Sequence, residues 1–492
     1  MFYSIEMSLV ALILVASTAM ADTLSLEAFL SRVQTKHPFF RKEALTTDIQ
    51  TEQQLSYRGA EDWRFQTTPS FSHFEPTNKS LGVPSKEEST GIETSVTRNI
   101  WRTGGRLSLG HRYGFTDQDI DDLVVPTPTG ELTIPVGPSR FYENGLTLSY
   151  SQPLLRNAGG VLDRLDYTLQ GYTVKIDTLV SQENQEAFLK SVAQRYLDWV
   201  LLAEQRRISN QRLWLANREL EQVQRKFEVG LVDRVDVYRA KDSVLSTKAV
   251  LSRIQTSLSA IRTELATLAT DPDLPRKRPD FTPYKILNLS PEKAIVDRLK
   301  TQARVLHALR LQAEQQRVLL NGLQNAASPQ LDINLSVGVK SGDESFGDAS
   351  SFDKTDSQIA LGFSYPLGNR TAQAKVRRTR LQRQQTLEDL RNETVQLEST
   401  MRNVLEQIRG LAATLDLNKQ RIKTAKTKSR EEEKRYELGK TELTFVIQSR
   451  DSEALAQLAY AENAVDYQKQ LIEYKALLDI LLPSPKAVSG GE

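Results

Sequence analysis

The stretch RKFEVGLVDRVDVYRAKDS (residues 225–243) returns in altered form as KRYELGKTELTFVIQSRDS (residues 434–452). The two align without gaps: Phe227 with Tyr436, Glu228 with Glu437, Gly230 with Gly439, Val237 with Val446, and Asp242-Ser243 with Asp451-Ser452, at a constant offset of 209 residues. Two further landmarks precede each copy in the same order. LTLSYSQPL from Leu146 answers ALGFSYPL from Ala360, and TPSFSHF from Thr68 answers SPQLDINL from Ser328. Three matched landmarks in one order indicate a duplicated unit of about two hundred residues.

Within each unit the period of the pattern changes. Ile333, Leu335, Val337 and Val339 oppose Asp332, Asn334, Ser336 and Lys340, and Leu146, Leu148 and Tyr150 oppose Thr147, Ser149 and Ser151. Ile359, Leu361, Phe363 and Tyr365 likewise oppose Ala360, Gly362 and Ser364. Such period-two alternation over short segments fits membrane β-barrel strands, or a half-buried sheet in a soluble protein. Beyond Pro153 and Pro366 the period becomes helical. From about 163 to 228 and from about 372 to 437 no proline interrupts the chain, enough for roughly 100 Å of helix in each copy. Apolar side chains recur at heptad spacing: Trp199 and, with Arg206 intervening, Leu213, Leu220 and Phe227 in the first run, and Met401, Ile408, Leu415, Ile422 and, after Ser429, Tyr436 in the second. The glycine then stands where a helix C-cap is expected. A returning helix keeps the heptad through Val237, Val244, Leu251, Leu258 and Leu265, and its counterpart has Val446, Glu453, Tyr460, Tyr467, Tyr474 and Leu481. These are coiled-coil seams. The repeated phrase therefore sits at the tip of a long antiparallel helical hairpin.

Lengths organise the rest. The return helix 237–270 is about half as long as the outgoing one and stops at TDPDLPRKRPDFTPYKI, whose four prolines cannot continue a helix. A helix over 291–325 supplies the missing half, and in the second copy the return helix 446–482 is completed by the N-terminal helix 26–57. The expected division is residues 1–21 as signal peptide, 22–270 as first repeat, 271–290 as Pro-rich linker, 291–482 as second repeat and 483–492 as tail. MSLVALILVASTAMA, from Met7, is an apolar run ending in the A-x-A pattern of Ala19-Met20-Ala21, with Asp22 as the first mature residue; an N-terminal anchor is the rival reading. After Asp22 no uncharged apolar stretch is long enough to span a bilayer as a helix, so a mature chain that crosses a membrane must use strands closed into a barrel.

Composition agrees. Of 492 residues 39% are apolar and 26% charged, yet the net charge is only +2. Long helices with solvated mixed-charge faces have this make-up, and near-neutrality gives no bulk case for nucleic-acid binding. The absence of cysteine excludes structural disulfides. His37, His73, His111 and His307 show no metal-ligand spacing, and no nucleotide-binding loop or nucleophile motif is present. Neither an enzyme, a cofactor nor a metal site is expected. KVRRTRLQR (375–383), the densest basic run, reads as a solvated helix face or as a collar beneath a membrane.

Taken together, the heptad hairpins with their repeated G-x-x-x-x-x-x-V tip and the strand-ending SQPLLR (151–156) resemble the TolC-type outer-membrane efflux and secretion channels, the outer membrane factors. The resemblance covers nearly all of the mature chain. It implies an α+β membrane protein, in which long α-helical hairpins form a periplasmic α-barrel and four strands per subunit contribute to a shared outer-membrane β-barrel in a homotrimer. It also implies a passive exit duct in the Gram-negative outer membrane, reaching into the periplasm. A periplasmic adaptor and an inner-membrane pump, of RND or ABC type, would drive cargo through it, and outer-membrane lipid would surround it. Two strand pairs cannot close a barrel alone, so copies of the chain must satisfy the open sheet edges.

The resemblance assigns roles at the tips. Tyr436 matches the gate tyrosine and Asp236 the acid it contacts, while Val229, Gly230, Leu231, Leu438, Gly439 and Lys440 match the adaptor-docking turns. Thr441 stands in place of a gate arginine, and Phe445 and Gln448 replace two acids lining the entrance. A gate of Asp236, Tyr436, Phe445, Gln448, Arg234 and Thr441 is expected, with Asp233, Glu442 and Arg450 supplying further ion pairs. The segment 75–143 falls outside the duplication. GIETSVTRNIWRTGGRLSLGHRYGF within it either adds a hairpin to the barrel or forms an extracellular flap, and DLVVPTPTGELTIPVGPS after it reads as a surface loop. The rival functional class is a secreted or surface-anchored coiled-coil structural or adhesive protein, which would need neither period-two strands nor two glycine-tipped hairpins.

Overall fold

A computed structural model describes residues 23–77 and 83–482; the expected signal peptide, its expected cleavage site and the tail 483–492 lie outside the described residues. The chain divides into two compact units of interleaved segments. A helical unit takes its described residues from 23–47, 177–309 and 389–482, and a sheet unit from 48–176 and 310–388.

The two proline-free runs are single helices, α3 (Leu165–Glu228) and α7 (Arg370–Glu437). They return through α4 (Arg234–Ala269) and α8 (Leu443–Leu477). Among the described residues α7 holds only one glycine, Gly410, and is otherwise built largely from Gln, Glu, Lys, Arg and Leu, residues that lose little rotamer freedom in a helix. Most of the expected seams are buried: Val244, Leu251, Leu258 and Leu265 on α4, Met401, Ile408 and Leu415 on α7, and Val446 and Tyr467 on α8. The lower half of α3 differs. Leu213 and Leu220 are only half-buried and Phe227 is exposed, while Ile208, Arg212, Ala216, Glu219 and Val223 are buried. Heptad counting followed the apolar residues and missed a stripe that carries an arginine and a glutamate.

The two expected half-length helices are each broken once. The N-terminal one splits into α1 (Leu26–Lys36) and α2 (Pro38–Tyr57). Pro38 forces the residue before it out of the helical region, and His37 sits at φ −73°, ψ 129°. The other splits into α5 (Glu292–Gln302) and α6 (Arg304–Ala326) at Ala303, where ψ is 125°. There the Arg304 N–H donates to the Asp479 carboxylate at 2.7 Å, and the Arg304 guanidinium pairs with Glu183 at 2.6 Å and with Glu186. The Pro-rich linker is not plain coil either. Its β8 (Arg278–Asp280) lies parallel to β1 (Thr23–Ser25). Beside that pair the largest core gathers Phe29, Val33, Tyr196, Trp199, Leu265 and Leu274, and the Tyr196 hydroxyl donates to the Leu24 carbonyl at 2.6 Å.

The sheet unit settles the segment outside the duplication. Six antiparallel strands run in the order β10-β9-β7-β4-β3-β2, comprising β2 (Arg64–Phe74), β3 (Lys86–Ile100), β4 (Gly105–Asp119), β7 (Arg140–Pro153), β9 (Gln330–Asp343) and β10 (Lys354–Ser364). The extra material is an integral hairpin between β2 and β7, so the chain departs from the four strands that the resemblance implied. The expected surface loop is itself a small hairpin of β5 (Leu123–Thr127) and β6 (Gly130–Ile134). Register places Phe65, Val96, Leu109, Leu148 and Val337 in one row across the sheet, and Gln66, Ser95, Gly110, Thr147 and Gly338 in the row on the opposite face. The apolar face is open: Ile359 is 78% exposed, Phe65 67% and Val337 60%. The polar face is hollowed by a cavity of about 820 Å3 lined by Glu93, Arg112, Glu143, Lys340 and Asp356.

Candidate functional site at the hairpin tips

Both tips end by the same backbone chemistry. After α3 the Leu231 N–H donates to the Lys226 carbonyl at 2.8 Å and the Gly230 N–H to the Phe227 carbonyl at 2.9 Å. After α7 the Lys440 N–H donates to the Arg435 carbonyl at 2.8 Å and the Gly439 N–H to the Tyr436 carbonyl at 3.1 Å. This paired pattern is the Schellman motif. It satisfies the last carbonyls of the helix with a left-handed residue, and Gly230 and Gly439 have φ of 75° and 68°. The return helices start from extended residues, Asp233 and Glu442, neither of whose side chains caps the helix.

Around these turns Val229, Leu231 and Leu438 are about 70% exposed, and Lys440 is exposed as well. Exposed large apolar side chains at a turn cost solvation and suit a contact surface.

The expected gate residues are only partly brought together. Tyr436 is buried with Val223, Ala240, Leu443 and Val446. Its hydroxyl has no hydrogen-bond partner, and burial, with the nearby charge of Asp236 adding to it, pushes its ionisation up. Asp236, in the first turn of α4, pairs instead with Arg239 at 2.9 Å. The Tyr436 ring lies under the Lys226 ammonium, 3.9 Å from the centroid, and the same ammonium donates to the Tyr436 carbonyl at 3.3 Å. Thr441 donates to Glu432 at 3.4 Å. Arg234 lies over the Tyr238 ring, and Phe445 and Gln448 are exposed. Within one chain, then, Lys226 rather than Asp236 engages the tyrosine.

Above the tip lies a buried ion cluster, of which the sequence had pointed to Arg450 alone. Arg212 on α3 reaches Asp451 at 2.8 Å, the Ser243 hydroxyl at 2.9 Å and Glu219 at 3.4 Å. Arg450 on α8 pairs with Glu433 at 2.5 Å, Glu453 at 3.5 Å and Glu219 at 3.9 Å. Arg212, Glu219, Arg450 and Glu453 are each at least 90% buried. Burial holds the Glu219 carboxyl above the usual glutamate range, against the opposing pull of Arg212 and Arg450. The repeated Asp-Ser pair was the available signal. Ser243 from the first copy and Asp451 from the second meet on one guanidinium, so the two hairpins are joined by the elements that look duplicated.

With this geometry in view, the comparisons agree on a class. Residues 136–270 match the family model described as outer membrane efflux protein, a family of channels and not of enzymes. Among solved structures the chain is similar to the outer membrane protein VceC of Vibrio cholerae, at 15% identity over 93% of this chain and 95% of that one, with a TM-score of 0.64. It is similar also to the CmeC outer membrane channel of Campylobacter jejuni, at 13% identity over 94% and 87% with a TM-score of 0.63. The open-state MtrE outer membrane channel of Neisseria gonorrhoeae matches at 16% identity over 93% and 89% with a TM-score of 0.61. None of the curated proteins matches by sequence. The fold is that of outer-membrane channel subunits, internally duplicated and built from long helical hairpins and barrel strands, as the sequence resemblance implied.

Proposed function

We propose that the chain is the outer-membrane channel of a tripartite efflux or type I secretion system, a passive duct from periplasm to exterior in a Gram-negative cell. The observation that carries this reading is the two-faced sheet. One face is mainly apolar and the other small or charged, with the row Phe65-Val96-Leu109-Leu148-Val337 backed by Gln66-Ser95-Gly110-Thr147-Gly338, which is the division a strand wall needs between lipid and a water-filled lumen. The rival structural or adhesive role gives no reason for it.

On this reading copies of the chain, three in the resembling family, share the barrel, and an inner-membrane pump supplies the energy through a periplasmic adaptor. The exposed turn residues Val229, Leu231, Leu438 and Lys440 dock the adaptor. The tips close the periplasmic entrance, with Asp236, Arg234, Phe445, Gln448 and Thr441 facing the neighbouring copy. Lys226 and the Arg212–Asp451 link hold the two hairpins of each copy together in the closed state.

Deleting the gene in its native host and measuring retention of a fluorescent pump substrate tests the duct. Retention that rises on deletion and returns to normal with the restored chain supports it. Unchanged efflux by a host with no second such channel rejects it.

A further inference from the structure

We infer that this chain contributes six strands to the shared barrel, so that three copies close a wall of eighteen strands in place of twelve. The inference rests on the channel reading above and adds the width of its exit. Three independent features place the β3–β4 hairpin in the wall and not in a flap.

The first is continuity. Both hairpin strands pair over their whole length, from Lys86 opposite Asp119 to Ile100 opposite Gly105, and β4 continues onto β7 from Arg106 opposite Ser151 to Asp117 opposite Arg140. At 15 residues each they exceed the roughly 9–11 residues that a tilted strand needs to cross a bilayer.

The second is alternation. Ile92, Val96, Leu107, Leu109, Tyr113 and Phe115 share the face that carries Leu148 and Val337, while Ser95, Ser108, Gly110 and Gly114 share the polar face. A flap wetted on both sides would gain nothing from this division. Polar side chains also fall on the apolar face, among them Thr94, Arg98, His111 and Asn144, and His111 and Asn144 bond each other across β4 and β7 at 2.8 Å.

The third is the lower turn. Trp101 is buried, with its ring on Tyr167 at 5.7 Å, and its backbone N–H donates to the Glu61 carboxylate at 3.2 Å. The Thr103 carbonyl accepts from the Gln152 amide at 2.8 Å and from the Gly159 N–H at 3.1 Å. Gly160 approaches so closely that a β-carbon there would lie 1.8 Å from the Trp101 carbonyl oxygen. The turn is thus tied to the segments that flank it on both sides.

Two edges remain, β2 and β10, and each is 11 residues long. An even number of antiparallel strands lets β10 of one copy meet β2 of the next without a change of direction, and only closure removes the open edges. Barrel diameter grows roughly linearly with strand number, so eighteen strands give an exit about 1.5 times as wide as twelve, in the range where porins leave an aqueous channel. Glu93 and Arg112, opposite each other on the polar face, add charge to that lumen.

Cryo-electron microscopy of the full-length assembly in lipid nanodiscs counts the strands directly. Eighteen strands are expected, with residues 86–119 inside the wall. Twelve strands with that hairpin outside would overturn the inference and leave the channel reading intact, whereas an assembly without a barrel would overturn both. The natural chain has no cysteine, so single-cysteine variants give a second measurement. At Ile92, Val96 and Leu109 a lipid-phase thiol reagent should react and a water-soluble maleimide should not, with the reverse at Ser95, Ser108 and Gly110. Equal reaction with the water-soluble reagent at all six positions would also overturn it.

Discussion

Gly230→Ala and Gly439→Ala isolate the backbone contribution of the tips. A methyl group at either position would meet no atom within 4 Å, so packing is not at issue. What remains is the left-handed conformation, at φ of 75° and 68°, which costs an L-residue about 1–2 kcal/mol. That corresponds to a roughly 5- to 30-fold shift in the local opening equilibrium. The Leu231 and Lys440 amides report it, because each donates the bond that closes its motif. Amide hydrogen exchange followed by mass spectrometry should therefore accelerate at the substituted tip by that factor and leave the other tip unchanged. Gly410→Ala supplies the control with opposite sign. Gly410 lies inside α7 with open space around it and no positive φ, and alanine there should slow local exchange through a gain of about 0.5–1 kcal/mol. Exchange at the tips that is unchanged or slower, or acceleration at all three sites alike, would refute the reasoning.

The remaining predictions concern the cluster and the docking surface. Arg450→Met leaves buried Glu219 and Glu453 short of a cation and should destabilise the helical unit by about 3–5 kcal/mol, read as a lowered thermal midpoint; an unchanged midpoint contradicts the cluster. Glu219 has a raised carboxyl, so its protonated form favours the native state. Its contribution to stability is fully present below the ordinary glutamate value near about 4.3 and is lost as pH rises through the higher folded value. The stability difference between Glu219→Gln and wild type should therefore change across that window and be constant above it, and a flat difference throughout counts against the assignment. Leu231→Asp with Leu438→Asp should weaken adaptor binding at least tenfold in surface plasmon resonance. It should change stability by under about 0.5 kcal/mol, because both side chains are exposed; wild-type binding would remove the tips from the docking surface.

Much of this fold could be read from the sequence because its determinants are local. Helix continuity follows from the absence of proline over α3 and α7, the tips from Gly230 and Gly439, and the strands from period-two alternation. The break at His37 was also local, since Pro38 dictates it. The break at Ala303 was not local: it depends on Asp479, distant in sequence, receiving the Arg304 N–H. The β3–β4 hairpin was visible as alternation, but only pairing with β2 and β7 decides that it belongs to the sheet. At the tips the turn residues were legible, whereas the partners of Tyr436 were not. Lys226 and Arg212 carried no sequence signal, because Tyr436 and Asp451, which they engage, come from the other repeat.

Planar-bilayer recording with purified full-length chain tests the central claim most directly. The account expects discrete unitary current steps from the oligomer. It also expects a higher open fraction in Lys226→Met, which removes the ammonium lying 3.9 Å from the Tyr436 ring. Folded, membrane-inserted protein that gives no steps, with or without that substitution, would contradict it.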